Sequence, residues 1–150
     1  VAEIARAFGA KVIYYSASGA PAQEGYEQVD FETLLTQSDI ISVHAPLNEH
    51  TEGLINSKAF EKMKSSCIFL NLGRGPIVDE QALYNALVRN QIAAAGLDVL
   101  CEEPMSADNP LLKLKDSKRL LITPHIAWAS VEARTHLMEI IHGQVKDFFA

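Results

Sequence analysis

The sequence predicts an α/β protein built on a doubly wound parallel sheet. Three observations lead there. Five short apolar runs, Val12–Tyr15, Asp39–Val43, Cys67–Leu72, Ala93–Leu97 and Arg119–Thr123, are rich in Ile, Val, Leu and aromatics and do not alternate with polar residues. Such runs are expected of strands covered on both faces. Their first residues lie 27, 28, 26 and 26 positions apart, which fits a strand, a crossover and a return. Most of the intervals between them carry helix signals.

The elements follow in order. Val1–Phe8 reads as part of an amphipathic helix, with Ile4, Ala5 and Phe8 on one stripe. It has no cap before it and no initiator Met, so the expectation is a chain cut from something longer. Asp30 is an N-cap candidate for a helix bearing Phe31, Leu34 and Leu35, and Asn56 for one bearing Ala59, Phe60 and Met63. Asp79 precedes Leu83, Ala86 and Leu87, and Glu80 sits well for the helix dipole. Ser130 opens the longest helix, with Ala133, Leu137, Ile140, Ile141, Val145 and Phe148 on one face. Residues 101–118, with Pro104 and Pro110, are expected to be irregular. A long irregular connection in an α/β domain more often serves function than decoration.

Composition narrows the function. The 150 residues suit one domain, 48% hydrophobic and 21% charged. A net charge of −6 without a basic run speaks against nonspecific nucleic-acid binding and against docking on anionic lipid. Two cysteines, Cys67 and Cys101, make neither a disulfide framework nor a four-thiolate zinc site, so a reducing, cytoplasmic setting is the default. No apolar stretch reaches the roughly 18–20 residues of a membrane span.

In open parallel sheets, ligands bind beyond the carboxyl ends of the strands. Those ends deliver Ser16-Ala17-Ser18, His44-Ala45-Pro46-Leu47, Gly73-Arg74-Gly75-Pro76, Asp98 followed by Glu102-Glu103-Pro104, and Pro124-His125. An Arg, an acidic cluster and a His thus arise at one edge. A guanidinium binds a carboxylate bidentately and polarises a neighbouring carbonyl. An imidazole exchanges a proton near neutral pH, and a carboxylate beside it orients the ring. Together these suit reversible reduction of a 2-keto acid by a nicotinamide hydride. Taken singly, each has a plainer reading: Arg74 as a turn residue, His125 as structural, the glutamates as a solvated face, Asp98 as a strand end. Their shared edge is the argument.

Other groups read as ordinary. His44 sits in a loop that contacts ligand through backbone, and His50 in an exposed polar loop. His136 and His142, six apart, do not share a helix face for metal. Cys101 with nearby carboxylates is no recognisable metal site, and Cys67 reads as packing. No metal is expected.

The stretches SDIISVHAPLNEHTEGLIN, FLNLGRGPIVDEQAL, AAGLDVLCEEP and LLITPHIAWAS resemble the D-isomer-specific 2-hydroxyacid dehydrogenases, in order and spacing. With their flanks they cover essentially the whole chain. SADNPLL, and HIAWAS with the following EAR, are most similar to the glycerate dehydrogenases, or hydroxypyruvate reductases. The resemblance implies a Rossmann-like nucleotide-binding domain over 1–150, truncated at its N-terminal βα unit, with the substrate domain outside the chain. It implies that Arg74 holds the substrate carboxylate and carbonyl, that His125 is the acid/base and that Glu103 pairs with it. Asp98 would contact the nicotinamide amide. Ser16, Ala45, Pro46, Leu72, Gly73, Arg74, His125 and Ala127 would line the cofactor, and Trp128 would border the substrate or pack at a helix start.

Two departures stand out. The Gly-x-Gly-x-x-Gly turn is missing, so no backbone cradle for pyrophosphate is present, and the chain alone is expected to be inactive. Ser16 stands where NAD-selective members carry an acid, and Ala17 where NADP users often carry Arg, so NAD is expected and NADP stays open. The implied partners are a small 2-keto acid and a second copy in a homodimer. The leading expectation is reduction of hydroxypyruvate or glyoxylate. An NADH-sensing co-regulator on the same fold is the alternative, and lactate, phosphoglycerate, formate or phosphite are alternative substrates.

Overall fold

The structure, a computed structural model, describes residues 1–114 and 118–149; residues 115–117, within the connection expected to be irregular, lie outside it. Helix α1 (Ala2–Ala7) leads into strand β1 (Ile13–Tyr14), which pairs in parallel with β2 (Glu27–Gln28). Helix α2 (Phe31–Gln37) precedes β3 (Ile40–Val43), α3 (Ser57–Lys62) and β4 (Ile68–Asn71). Then come α4 (Glu80–Val88), β5 (Ala94–Leu97), β6 (Leu120–Ile122) and α5 (Val131–Phe148). Strands β3-β4-β5-β6 form one parallel sheet in sequence order, with Ile40 opposite Ile68, Ile68 opposite Ala94 and Ala95 opposite Leu120.

The four expected caps form. Asp30 Oδ1 accepts Thr33 N–H at 2.7 Å, Asn56 Oδ1 accepts Ala59 N–H at 3.2 Å, and Asp79 Oδ1 accepts Ala82 N–H at 2.9 Å. Ser130 Oγ accepts Ala133 N–H at 3.1 Å. Each satisfies one of the amides that a helix start leaves unpaired. The described residues of the connection after β5 are irregular apart from one 3-10 turn, Pro110–Lys113.

The first correction concerns β1. It pairs not with the four-stranded sheet but with β2, two polar residues that no apolar pattern marks. The second concerns burial. On the central strands Ile41, Val43, Phe69, Asn71, Ala95 and Leu97 are buried, whereas Ile40 and Ile68 are exposed and Ser42, Leu70 and Gly96 lie between. Period-two burial means that one face of this sheet is covered. Helices α2, α3 and α4 pack in succession, and their Leu35, Ala59, Phe60, Leu83 and Leu87 join the inward strand residues in one core. Phe60 and Phe69 meet edge to face at its centre, ring centroids 5.5 Å apart. Arg119 ties the sheet to α4, donating to the carbonyls of Leu87 (2.8 Å) and Ala93 (2.7 Å). Helix α5 buries no residue, and its expected inward face, from Leu137 to Phe148, is exposed.

Candidate active site

The site begins where β5 ends. Asp98 follows Leu97 and is buried. Its Oδ1 accepts Thr123 Oγ1–H at 2.6 Å and Ile126 N–H at 2.9 Å, and its Oδ2 accepts Ala127 N–H at 2.8 Å. One carboxylate thereby folds the turn after β6 around itself. Burial is the strongest single influence on Asp98 and opposes ionisation. The donors from Thr123, Ala127 and Ile126 outweigh it and hold the carboxyl below its usual range.

That turn presents His125. Its φ of 53° is left-handed, a conformation that costs a non-glycine residue free energy and persists only where neighbours enforce it. The neighbours are visible: Asp98 holds the next two amides, His125 N–H reaches Thr123 O at 3.0 Å, and the Trp128 indole N–H reaches His125 O at 2.9 Å. Trp128 is therefore a turn brace, with its ring exposed.

Glu103 meets the imidazole from the other loop, its Oε2 2.8 Å from His125 Nδ1. Its Oε1 accepts Leu100 N–H at 2.9 Å. The Leu100 amide first, and the His125 hydrogen bond second, hold the Glu103 carboxyl below the ordinary range. An ionised carboxylate accepts only, so Nδ1 carries the proton of this bond. Nε2 is then the nitrogen available to a substrate oxygen. The pair borders a cleft of about 620 Å³ lined by Asp98, Met105, Leu112 and Thr123 among others.

Arg74 lies in the turn after β4. Asn71, buried, accepts Gly73 N–H at 3.1 Å and donates from Nδ2 to Arg74 O at 3.0 Å. The guanidinium, exposed, folds back to donate to Gly73 O at 2.8 Å. The structure thus brings Glu103, His125 and Asp98 together directly and sets the Arg74 side chain on its own turn. The backbone beneath Arg74 does touch the Glu103 loop: a Cβ on Gly75 would lie 1.9 Å from Leu100 O.

The expected cofactor-lining positions occupy the ends of successive strands. Ala45 and Gly73 are neighbours, since a Cβ on Gly73 would sit 3.1 Å from Ala45 O. Pro46 O accepts Thr51 Oγ1–H at 2.7 Å, and Leu72 is exposed beside them. Ala127 is exposed, its amide held by Asp98. Ser16 lies two residues past β1, its hydroxyl 3.1 Å from that of Ser18. The small side chains of Ala45, Gly73 and Ala127 at these ends suit the close approach of a dinucleotide.

Sequence reasoning missed Asn71 and Thr123, which shape the turns under Arg74 and His125. Their signal is only position, each at or just past a strand end. Among the described residues no group of three or more His, Cys, Asp or Glu could hold a metal. Cys101 donates to Val78 O at 3.5 Å, and burial, then Glu80, pushes its thiol up to about 11. No described helix is long and apolar enough to cross a membrane.

Comparison with known proteins bears on this geometry. A hydroxypyruvate reductase of Blautia hydrogenotrophica is 45% identical over 148 residues, covering 97% of this chain and 45% of the relative. The chain thus spans less than half the length of that relative. An acyclic imino acid reductase solved with NADPH and D-Arg superimposes with a TM-score of 0.89 at 40% identity, over 99% of this chain and 46% of that one. A D-lactate dehydrogenase of Aquifex aeolicus, solved with NAD and lactic acid, gives 0.88 at 31% identity, over 99% and 49%. Residues 1–127 match the family described as D-isomer specific 2-hydroxyacid dehydrogenase, NAD binding domain, and the chain, with its parallel α/β sheet and its His–Glu pair at the strand ends, belongs to that family.

Proposed function

We propose that this chain is the nucleotide-binding part of an enzyme that reduces hydroxypyruvate or glyoxylate to the D-hydroxy acid with NADH, NADPH being the alternative donor. The observation that carries the reading is the 2.8 Å contact between Glu103 Oε2 and His125 Nδ1 at the cleft. The names of the relatives support the substrate class: hydroxypyruvate reductase, glyoxylate reductase and glycerate dehydrogenase.

Ala45, Pro46, Leu72, Gly73 and Ala127 would hold the dinucleotide along the strand ends, with Ser16 toward its ribose. Asp98 keeps the lone pairs its own chain leaves free for the nicotinamide amide. When bound, the nicotinamide supplies the hydride. His125 delivers a proton from Nε2 to the substrate oxygen as that oxygen gains charge. Glu103 holds Nδ1–H, which fixes the ring's orientation and leaves Nε2 facing the substrate oxygen. Arg74 swings from Gly73 O to bind the substrate carboxylate and steady the developing oxyanion. The same reading carries the homodimer, which the exposed apolar face of α5 supports.

The test follows nicotinamide absorbance on mixing the full-length protein, NADH and either keto acid. Rapid decay is expected. His125→Ala should slow it about 10²–10⁴-fold, and Arg74→Ala should remove most turnover. Tight NADH binding without decay, or near-normal rates in both variants, would overturn the assignment.

A further inference from the structure

One carboxylate outside the cleft reaches the Glu103 loop from another element. Glu80 is the first residue of α4. The amino end of that helix is already capped by Asp79, and the Glu80 side chain turns to the loop instead. Its Oε1 accepts Cys101 N–H at 2.8 Å and its Oε2 accepts Asn109 Nδ2–H at 2.8 Å. These two donors flank the segment that carries Glu103. Asn109 is buried, and its Oδ1 accepts Leu111 N–H at 2.9 Å, so its amide can face Glu80 only with the nitrogen.

The peptide held by Glu80 is the one that Gly75 supports. A Cβ at Gly75 would meet Leu100 O at 1.9 Å, Leu100 C at 2.0 Å and Cys101 N at 2.4 Å. The Leu100–Cys101 peptide is therefore gripped at its N–H by the carboxylate and seated on the turn that bears Arg74. Leu100 N–H in turn donates to Glu103 Oε1. A path runs from Glu80 through that peptide and the adjoining Leu100 amide to Glu103, and on to His125.

We propose that Glu80 is a positioning residue for the Glu103–His125 pair, setting from α4 the loop on which Glu103 reaches the imidazole. The proposal rests on the reading of that pair as the acid/base machinery. It accounts for the direction in which the Glu103 carboxyl is shifted, because the largest contribution comes from the Leu100 amide, whose aim depends on the clamped peptide.

The test uses the full-length enzyme and two readouts: kcat and KM for the keto acid, and the low-field proton resonance of His125 Nδ1–H against its carboxylate. Glu80→Gln sets an amide against Asn109 and can satisfy only one of the two donors. It is expected to lower kcat about tenfold, one hydrogen bond's worth, with little change in KM, and to weaken the resonance. The exchanged pair E80Q/N109D restores the network with donor and acceptor reversed. The new amide accepts Cys101 N–H and donates to the new carboxylate, which still accepts Leu111 N–H. It should recover both readouts, and it carries the test should E80Q not fold. The double variant E80Q/E103Q should match E103Q, since Glu80 acts through Glu103.

Unchanged kcat and resonance in E80Q, alongside their loss in E103Q, would overturn the proposal. So would an exchanged pair that recovers thermal stability but neither readout, which would leave Glu80 a purely structural residue. If E103Q itself retains both, the acid/base reading falls and this inference with it. The E103Q result thus separates the two failures.

Discussion

Helices α4 and α5 make a controlled contrast. Both start on a side-chain cap, with Asp79 and Ser130 each bonded to the amide three residues on. Both carry an acidic residue in the first turn and a run of apolar positions at helical spacing. Yet the 9-residue α4 buries Ala82, Leu83, Ala86 and Leu87, whereas the 18-residue α5 buries none. Capping and amphipathicity decide that a segment is helical. They do not decide what covers its apolar face, because that requires a neighbour at the right distance.

The same substitution in the two helices sharpens this. Leu87→Ala leaves a cavity in the closed core and should cost about 2–5 kcal/mol, read as a lowered midpoint in chemical denaturation of this chain. Leu137→Ala removes surface already in contact with water and should stay within about 0.5 kcal/mol. Equal losses at the two positions would mean that α5 is covered in solution, by a second copy or by another segment.

A smaller effect tests the joint between the two regions, the Asp98-centred turn that launches α5. Thr123→Val removes the 2.6 Å hydroxyl donor to Asp98 and should cost about 1 kcal/mol. The sign of the pH dependence follows from the lowered Asp98 carboxyl. A group whose folded value is depressed contributes stability above its unfolded value and loses it as pH falls through the folded one. Thermal melts should therefore weaken below the ordinary carboxylate range. In Thr123→Val that weakening should be smaller and level off at higher pH, because the folded Asp98 value then lies nearer the unfolded one. Identical pH profiles for the two proteins would remove Asp98 from the acid response.

Much of this architecture is legible in the sequence because its causes are local. The apolar runs that become β3 to β6 and the four capping side chains act within a few residues, and the structure places them within one or two positions of expectation. What is not legible depends on partners elsewhere. Glu27 and Gln28 form a strand only because β1 lies alongside. One-sided burial of the central sheet cannot be told from two-sided burial when exposed positions such as Ile40 and Ile68 are also apolar. At the site, chemistry marked His125, Arg74 and the acidic cluster, and the resemblance singled out Glu103 as the partner. Asn71, Thr123 and Asn109 escaped notice because they recognise backbone and carboxylates through turn geometry, and no reactive group advertises them.

The left-handed backbone at His125 bears on how an inactive enzyme should be made. Among non-glycine residues, asparagine tolerates that conformation unusually well, and its side-chain amide can still donate to a carboxylate. On the proposed mechanism, His125→Asn thus removes the proton donor while asking little of the main chain. For trapping the proposed keto acid beside reduced nucleotide in a crystal, it is the gentler disarming than alanine.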